Sequence, residues 1–178
     1  MQIVGLDEIR VGDILTEGVK STSASTAIPK FLKLKQPYQG GITFNFTNPT
    51  SSKFYREGQA DPFFTMKDPT SGSKDITWNV ADFDEDTLAF YFGTTEPEQG
   101  KLYEGNKAFV FVAKSGASLA FANLKYSATL TGGMSTSDPL QIAVSAEVLA
   151  PTSGYAWWPI TTPTFTGGDW QKTTTTSE

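Results

Sequence analysis

Strict alternation of apolar and polar residues recurs along this chain. In ITFNF, Ile42, Phe44 and Phe46 share one face while Thr43 and Asn45 share the other, the period-2 signal of a half-buried strand. FLKLK alternates too, with Leu32 and Leu34 against Lys33 and Lys35, and the turn-rich QPYQGG between the two segments predicts a hairpin. ITWNV puts Ile76, Trp78 and Val80 in phase. SLAFANLKYSATL does the same with Leu124, Tyr126, Ala128 and Leu130. PLQIAVSAEVLAP is the cleanest strand, with Leu140, Ile142, Val144, Ala146 and Val148 facing one way between two bracketing prolines. AFVFVAKSG is apolar on both faces and reads as a strand covered on both sides. The first 20 residues predict one or two short strands with a turn near Gly12-Asp13, and residues 21–29 predict a polar loop.

Two segments break the alternation. Residues 48–75, with Pro49, Pro62, Pro69 and Gly72, predict a long inter-strand loop holding a short strand around residues 63–66. A connection of that length in a compact domain is usually functional. Its aromatics Phe54, Tyr55, Phe63 and Phe64 need burial, inside the subunit or against a partner, and Arg56 and Glu57 stand beside them. The second segment is KDITWNVADFDEDTLAFYFG, where four carboxylates (Asp82, Asp84, Glu85 and Asp86) precede Leu88, Tyr91 and Phe92 at helical spacing. It predicts a strand feeding one short helix over about residues 83–92. Either Asp82 caps it with Glu85 as a capping box, or Asp84 caps it with Phe83 stapled onto Leu88. Acids there also face the favourable end of the macrodipole, and Gly93 suits the C′ position.

The acidic run also imitates chemistry. Asp82, Asp84 and Asp86 match positions 1, 3 and 5 of a calcium loop, but positions 6 and 12 are Thr87 and Gly93 where glycine and a bidentate glutamate are required. Carboxylates crowded into one turn diverge, unlike a glycosidase pair that flanks a substrate. The chain has no histidine and no cysteine, so imidazole bases, Ser-His-Asp triads, HExxH zinc sites, thiolate nucleophiles and disulfides are excluded. The sequence implies no enzyme, no cofactor and no metal. Asn45-Phe46-Thr47 is a formal glycosylation sequon inside a predicted strand.

At 178 residues the chain suits one domain, here residues 1–150, followed by an aromatic, Pro- and Thr-rich arm over residues 151–178 whose final TTTTSE reads as disordered. In that arm Trp157, Trp158, Tyr155 and Trp170 read either as a sugar-stacking platform or as aromatics that dock on the core or on a neighbour. The net charge of −5 disfavours electrostatic adhesion to nucleic acid or anionic lipid. Residues 61–104 hold ten acids and three basic residues, whereas Lys30, Lys33 and Lys35 cluster before them. The N-terminus lacks a signal-peptide pattern, and no apolar run nears the ~20 residues that span a bilayer.

The order of these features resembles a family. YQGGITFNF, then REGQADP in a long loop, ITWNV, an acid-capped helix ending LAFYFG, AFVFVAK, SLAFANLKYSATL and LQIAVSAEVLAP are similar in order to the major tail tube proteins of long-tailed bacteriophages, over roughly residues 38–151. Type VI secretion tube proteins share that architecture. The resemblance implies a mainly β, antiparallel sandwich or barrel-like domain with one flanking helix. It implies hexameric rings stacked into a tube in the virion tail, made in the bacterial host cytoplasm, through which DNA passes. The partners it implies are further copies of the chain and the tape measure, distal tail and terminator proteins, with no membrane. The long loop and the termini would make ring-to-ring contacts, which marks Phe54, Tyr55, Arg56, Glu57, Phe63, Phe64, Trp157 and Trp158 as interface candidates. The rival reading is an all-β carbohydrate-binding or adhesin-type module built on the C-terminal aromatics.

Overall fold

Alternation becomes a wide antiparallel sheet whose central hairpin is formed by β8 (Leu102–Gly116) and β9 (Ser118–Met134). The computed structural model describes residues 3–16, 27–29, 32–37, 41–47, 51–58, 60–62, 64–67, 73–82, 84–134, 139–160 and 164–166. On one side of the hairpin β8 pairs with β1 (Ile3–Gly12), which pairs with β3 (Leu32–Leu34). On the other side β9 pairs with β10 (Pro139–Val148), then come β7 (Lys74–Val80) and β4 (Ile42–Phe46). β11 (Trp157–Ile160) completes eight strands in this sheet by pairing with β9. The fold is mainly β and antiparallel with one short helix, consistent with a sandwich or barrel-like domain.

β3 and β4 therefore form no hairpin with each other. They are successive in sequence but lie at opposite ends of the sheet. Their alternation fits any partner, and the partners are settled elsewhere: Lys33 reaches Glu8 of β1 at 3.0 Å, and Ile42 lies opposite Trp78 of β7. The connecting residues 35–41 span at most roughly 25 Å fully extended, so the sheet must curl to bring its two ends together. The curl is visible in the rings. Phe44 of β4 meets Phe111 of β8 edge-on at 5.7 Å and stacks on Phe121 of β9 at 6.2 Å.

Inside the curl lies an aromatic core. Trp78 contacts Phe109 and Phe111, Phe109 contacts Tyr126, and Ile9, Val11, Ile76, Val80, Leu124, Ile142 and Val144 fill between them. Burying each such side chain contributes roughly 1.5–3 kcal/mol. The expected inward sets on β7, β9 and β10 are buried, except that at the two ends of β10 Leu140 is exposed and Val148 half-buried. Gly105 of β8 faces Tyr126, and a Cβ there would lie 2.7 Å from the phenol oxygen, so the ring rests on bare backbone. The reading of AFVFV also holds: Phe109 and Phe111 face this core while Ala108 and Val110 face a second cluster with Ala120, Ala122 and Ile160. Leu15, Trp158 and Phe165 cover that outer cluster.

The helix α1 (Glu85–Phe92) is two residues shorter at its start than expected. Asp84 is the cap, and its carboxylate accepts from the Thr87 amide at 2.9 Å and the Thr87 hydroxyl at 2.7 Å. The expected staple residue Phe83 lies outside the described residues. Gly93 adopts φ 69°, and its amide closes the last turn on the Ala89 carbonyl. Tyr91 and Phe92 are buried, and the Trp78 indole donates to the Tyr91 hydroxyl at 3.1 Å, tying helix to strand. Burial raises the Tyr91 and Tyr126 phenols above their ordinary range, so both stay protonated; Tyr126 donates to the Phe90 carbonyl.

Two small pairs lie off the main sheet. β2 (Ala27–Pro29) runs parallel to β12 (Thr164–Thr166), so the expected polar loop over residues 21–29 ends in a strand. β5 (Ser51–Phe54) and β6 (Phe64–Lys67) form an antiparallel ribbon inside the expected long loop; β6 is the short strand expected around residues 63–66, and β5 was not expected. Of the segment 151–178 expected to be an arm, β11 is a strand of the main sheet, and TTTTSE lies outside the described residues.

Candidate assembly surface

The ribbon continues the β4–β7 pair beyond the sheet. β4 and β7 pair from Ile42 opposite Trp78 to Phe46 opposite Lys74, and β5 and β6 resume in nearly the same register, Ser51 opposite Lys67. At the junction a clamp pins the two chains together. The Thr47 amide donates to the Ser73 carbonyl at 3.0 Å, and the Ser73 amide donates to the Thr47 hydroxyl at 2.8 Å. Thus β4–β5 and β6–β7 are the two legs of one long hairpin whose outer half leaves the sheet. Every residue of β5 is exposed, as are Tyr55, Arg56, Glu57 and Gly58 beyond it.

The ribbon brings Phe54 and Phe64 together across its strands, 5.9 Å between ring centroids. Phe54 is 46% exposed, Tyr55 53% and Phe64 54%, although each is large and apolar enough to favour burial. Arg56 and Glu57 follow at the turn, and Phe63 lies outside the described residues. Two-stranded ribbons are marginal alone, and contiguous exposed rings mark a contact surface.

Trp157 and Trp158 are not part of that surface. They are half-buried on β11, and as neighbours in a strand they face opposite sides of the sheet. Trp157 turns to the core, 6.3 Å from Phe121 and 5.5 Å from Phe46. Trp158 turns outward with Tyr155, 4.8 Å away, over the second cluster. Of the rings named for a platform, Trp170 lies outside the described residues and the other three divide between two faces.

A second apolar surface escaped the sequence. Phe44 and Phe46, read there as an inward face, are 36% and 39% exposed. β4 is the last strand of the sheet on its side, so nothing among the described residues covers its outer flank. Beside Phe44 opens a cavity of about 280 Å³ lined by Gly5, Leu6, Ile42, Phe111, Ala113 and Leu119, with Gly41 at its edge. Alternation identified the apolar face of β4, but edge position depends on strand order, which no local pattern carries.

The acids that imitated chemistry are tied to structure. Asp84 caps α1, and Lys35 stands 3.5 Å from Asp84 and 3.9 Å from Asp82. The Asp84 carboxyl is held below its usual range by the Thr87 hydroxyl first, then the Thr87 amide, with Lys35 adding to both. At Glu8, burial alone would raise the carboxyl, but hydrogen bonds from Lys33 and Arg10 outweigh it and the net direction is down. Among the described residues no three carboxylates converge as a metal ion would require. Comparison with known proteins finds no family model and no curated protein that matches this chain.

Proposed function

We propose that this chain is a structural subunit that assembles with its own copies into a tube, as the major tail tube proteins of long-tailed bacteriophages do. The observation that carries the reading is the β5–β6 ribbon, a hairpin extension with Phe54, Tyr55 and Phe64 exposed and no core of its own. A curled antiparallel sheet with one helix supports it, because such a domain offers a rigid ring element from which the ribbon extends. On this reading the protein works in the virion tail as a conduit for DNA ejection. It meets tape measure, distal tail and terminator proteins at the tube's interior and ends. Its net negative charge suits a wall that DNA slides past without being held. No turnover, cofactor or metal enters this role.

The carbohydrate-binding alternative rests on the Tyr155–Trp158 pair, since Trp157 faces the core. Negative-stain electron microscopy separates the two readings. Concentrated protein is expected to show rings of six subunits or stacked tubes. A monodisperse monomer at millimolar concentration that binds glycans, with binding lost in Trp158→Ala, overturns the tube reading.

A further inference from the structure

We propose that the cavity beside β4 receives the Phe54–Phe64 pair from the ribbon of a second copy. This rests on the self-assembly reading above and assigns the contact. The volumes agree: the cavity is about 280 Å³, and a void of ~150 Å³ lined by apolar side chains accommodates one benzene ring. The site therefore has room for two rings, and the ribbon presents two, already held 5.9 Å apart. The lining is apolar, from Leu6, Ile42, Phe111, Ala113 and Leu119, and Phe44 offers an aromatic edge that already ends a stack on Phe121. Incoming rings would extend that stack, and each such contact adds to the area buried.

Charge is compatible at both rims. Asp7 follows Leu6 and Lys114 lies against Gly5, while Lys53 precedes Phe54 and Glu57 follows it closely. Each surface thus offers charges of both signs around an apolar centre, with Arg56 beside Glu57 on the ribbon.

The chain's own ribbon does not fill its own cavity. It leaves β4 at the Phe46 end, past the Thr47–Ser73 clamp, whereas the cavity opens at the Gly41–Ile42 end. Phe54 and Phe64 stay exposed in the isolated chain. A plug and a socket on different parts of one molecule make a heterologous contact, which repeats from copy to copy instead of closing on a dimer. The socket and the ribbon of each chain are thereby both used at every step of assembly.

The experiment places a photoreactive benzophenone analogue of phenylalanine at Phe54 in the full chain. Equal amounts of 15N-labelled and unlabelled protein are mixed at assembling concentration, irradiated and digested. Mixed-isotope adducts in residues 5–6, 41–44 or 111–119 are expected. Adducts elsewhere, or only single-isotope adducts, overturn the contact. Sedimentation on the same sample keeps the two readings apart: assembly with adducts elsewhere removes the socket and leaves the tube, while no assembly at any concentration removes both. Ala113→Phe, which fills the socket from within, is expected to weaken association at least tenfold with the unfolding midpoint unchanged or raised. Unweakened association by that variant, shown to be folded, also overturns the proposal.

Discussion

At the scale of single residues, Asp84 does the most with one side chain. Its carboxylate satisfies the Thr87 amide and hydroxyl at the start of α1 and stands within 3.5 Å of Lys35 beyond β3. The helix is only eight residues long, too short to persist on its own, so the cap matters to its survival. Asp84→Ala is expected to cost about 0.5–2 kcal/mol in urea denaturation at neutral pH. The pH dependence follows from the lowered carboxyl. Its contribution is full above the unfolded-state value near 3.9 and is lost as the pH falls through the lower folded value, so wild type and variant should converge as the pH falls below about 4. A constant gap across that range would mean that the cap acts without its charge. The sequence identified Asp82 and Asp84 as the two caps available. It was unable to choose, because the choice depends on where β7 ends and where Lys35 arrives from another part of the sheet.

At the scale of elements, legibility followed local regularity. β7 and β10 were readable because Ile76, Trp78 and Val80, and Ile142, Val144 and Ala146, are buried in alternation with more exposed neighbours. β1 was readable only as one or two strands, and the reason is a register shift between Leu6 and Glu8. That irregularity lets Leu6 and Ile9, three apart, both reach the core and so breaks the period of two. The same device in the β8–β9 hairpin lets Phe121 and Leu124 share a face. SSKF is exposed throughout and carries no alternation with a buried face, so of the ribbon only the short strand around residues 63–66 was readable, set in a long loop with unexplained aromatics. Its construction gives a direct test of its role. Because Thr47 and Ser73 are already hydrogen-bonded, replacing residues 48–72 with Asn-Gly should close β4 and β7 by a two-residue turn. Shortening the connection favours the folded state by about 2 kcal/mol on loop-closure grounds. The variant should therefore melt no lower than wild type in calorimetry, yet sediment as a monomer at all concentrations. Normal tubes from it would remove the ribbon from assembly.

At the scale of the whole molecule, the uneven distribution of charge along the chain finds its balance inside one copy. The basic cluster meets the acidic run within the fold through Lys35, which stands near Asp84 and Asp82, while Lys33 pairs with Glu8 of β1. Lys107–Asp13 and Lys125–Glu104 join further distant segments in the same way. These are mostly exposed pairs worth little individually, and each copy keeps a net charge of −5. What draws copies together must then overcome mutual repulsion, and the exposed rings of β4 and of the ribbon are apolar. Salt separates the two kinds of attraction. Raising ionic strength from 0.01 to 1 M shortens the Debye length from about 30 to 3 Å, which screens repulsion and leaves apolar burial intact. The concentration at which the protein half-assembles, read by sedimentation velocity, is therefore expected to fall as sodium chloride rises. Assembly driven by matched charges would respond in the opposite sense, with salt dissolving the tubes, and that outcome would transfer the contact from the aromatic ribbon to the charged faces.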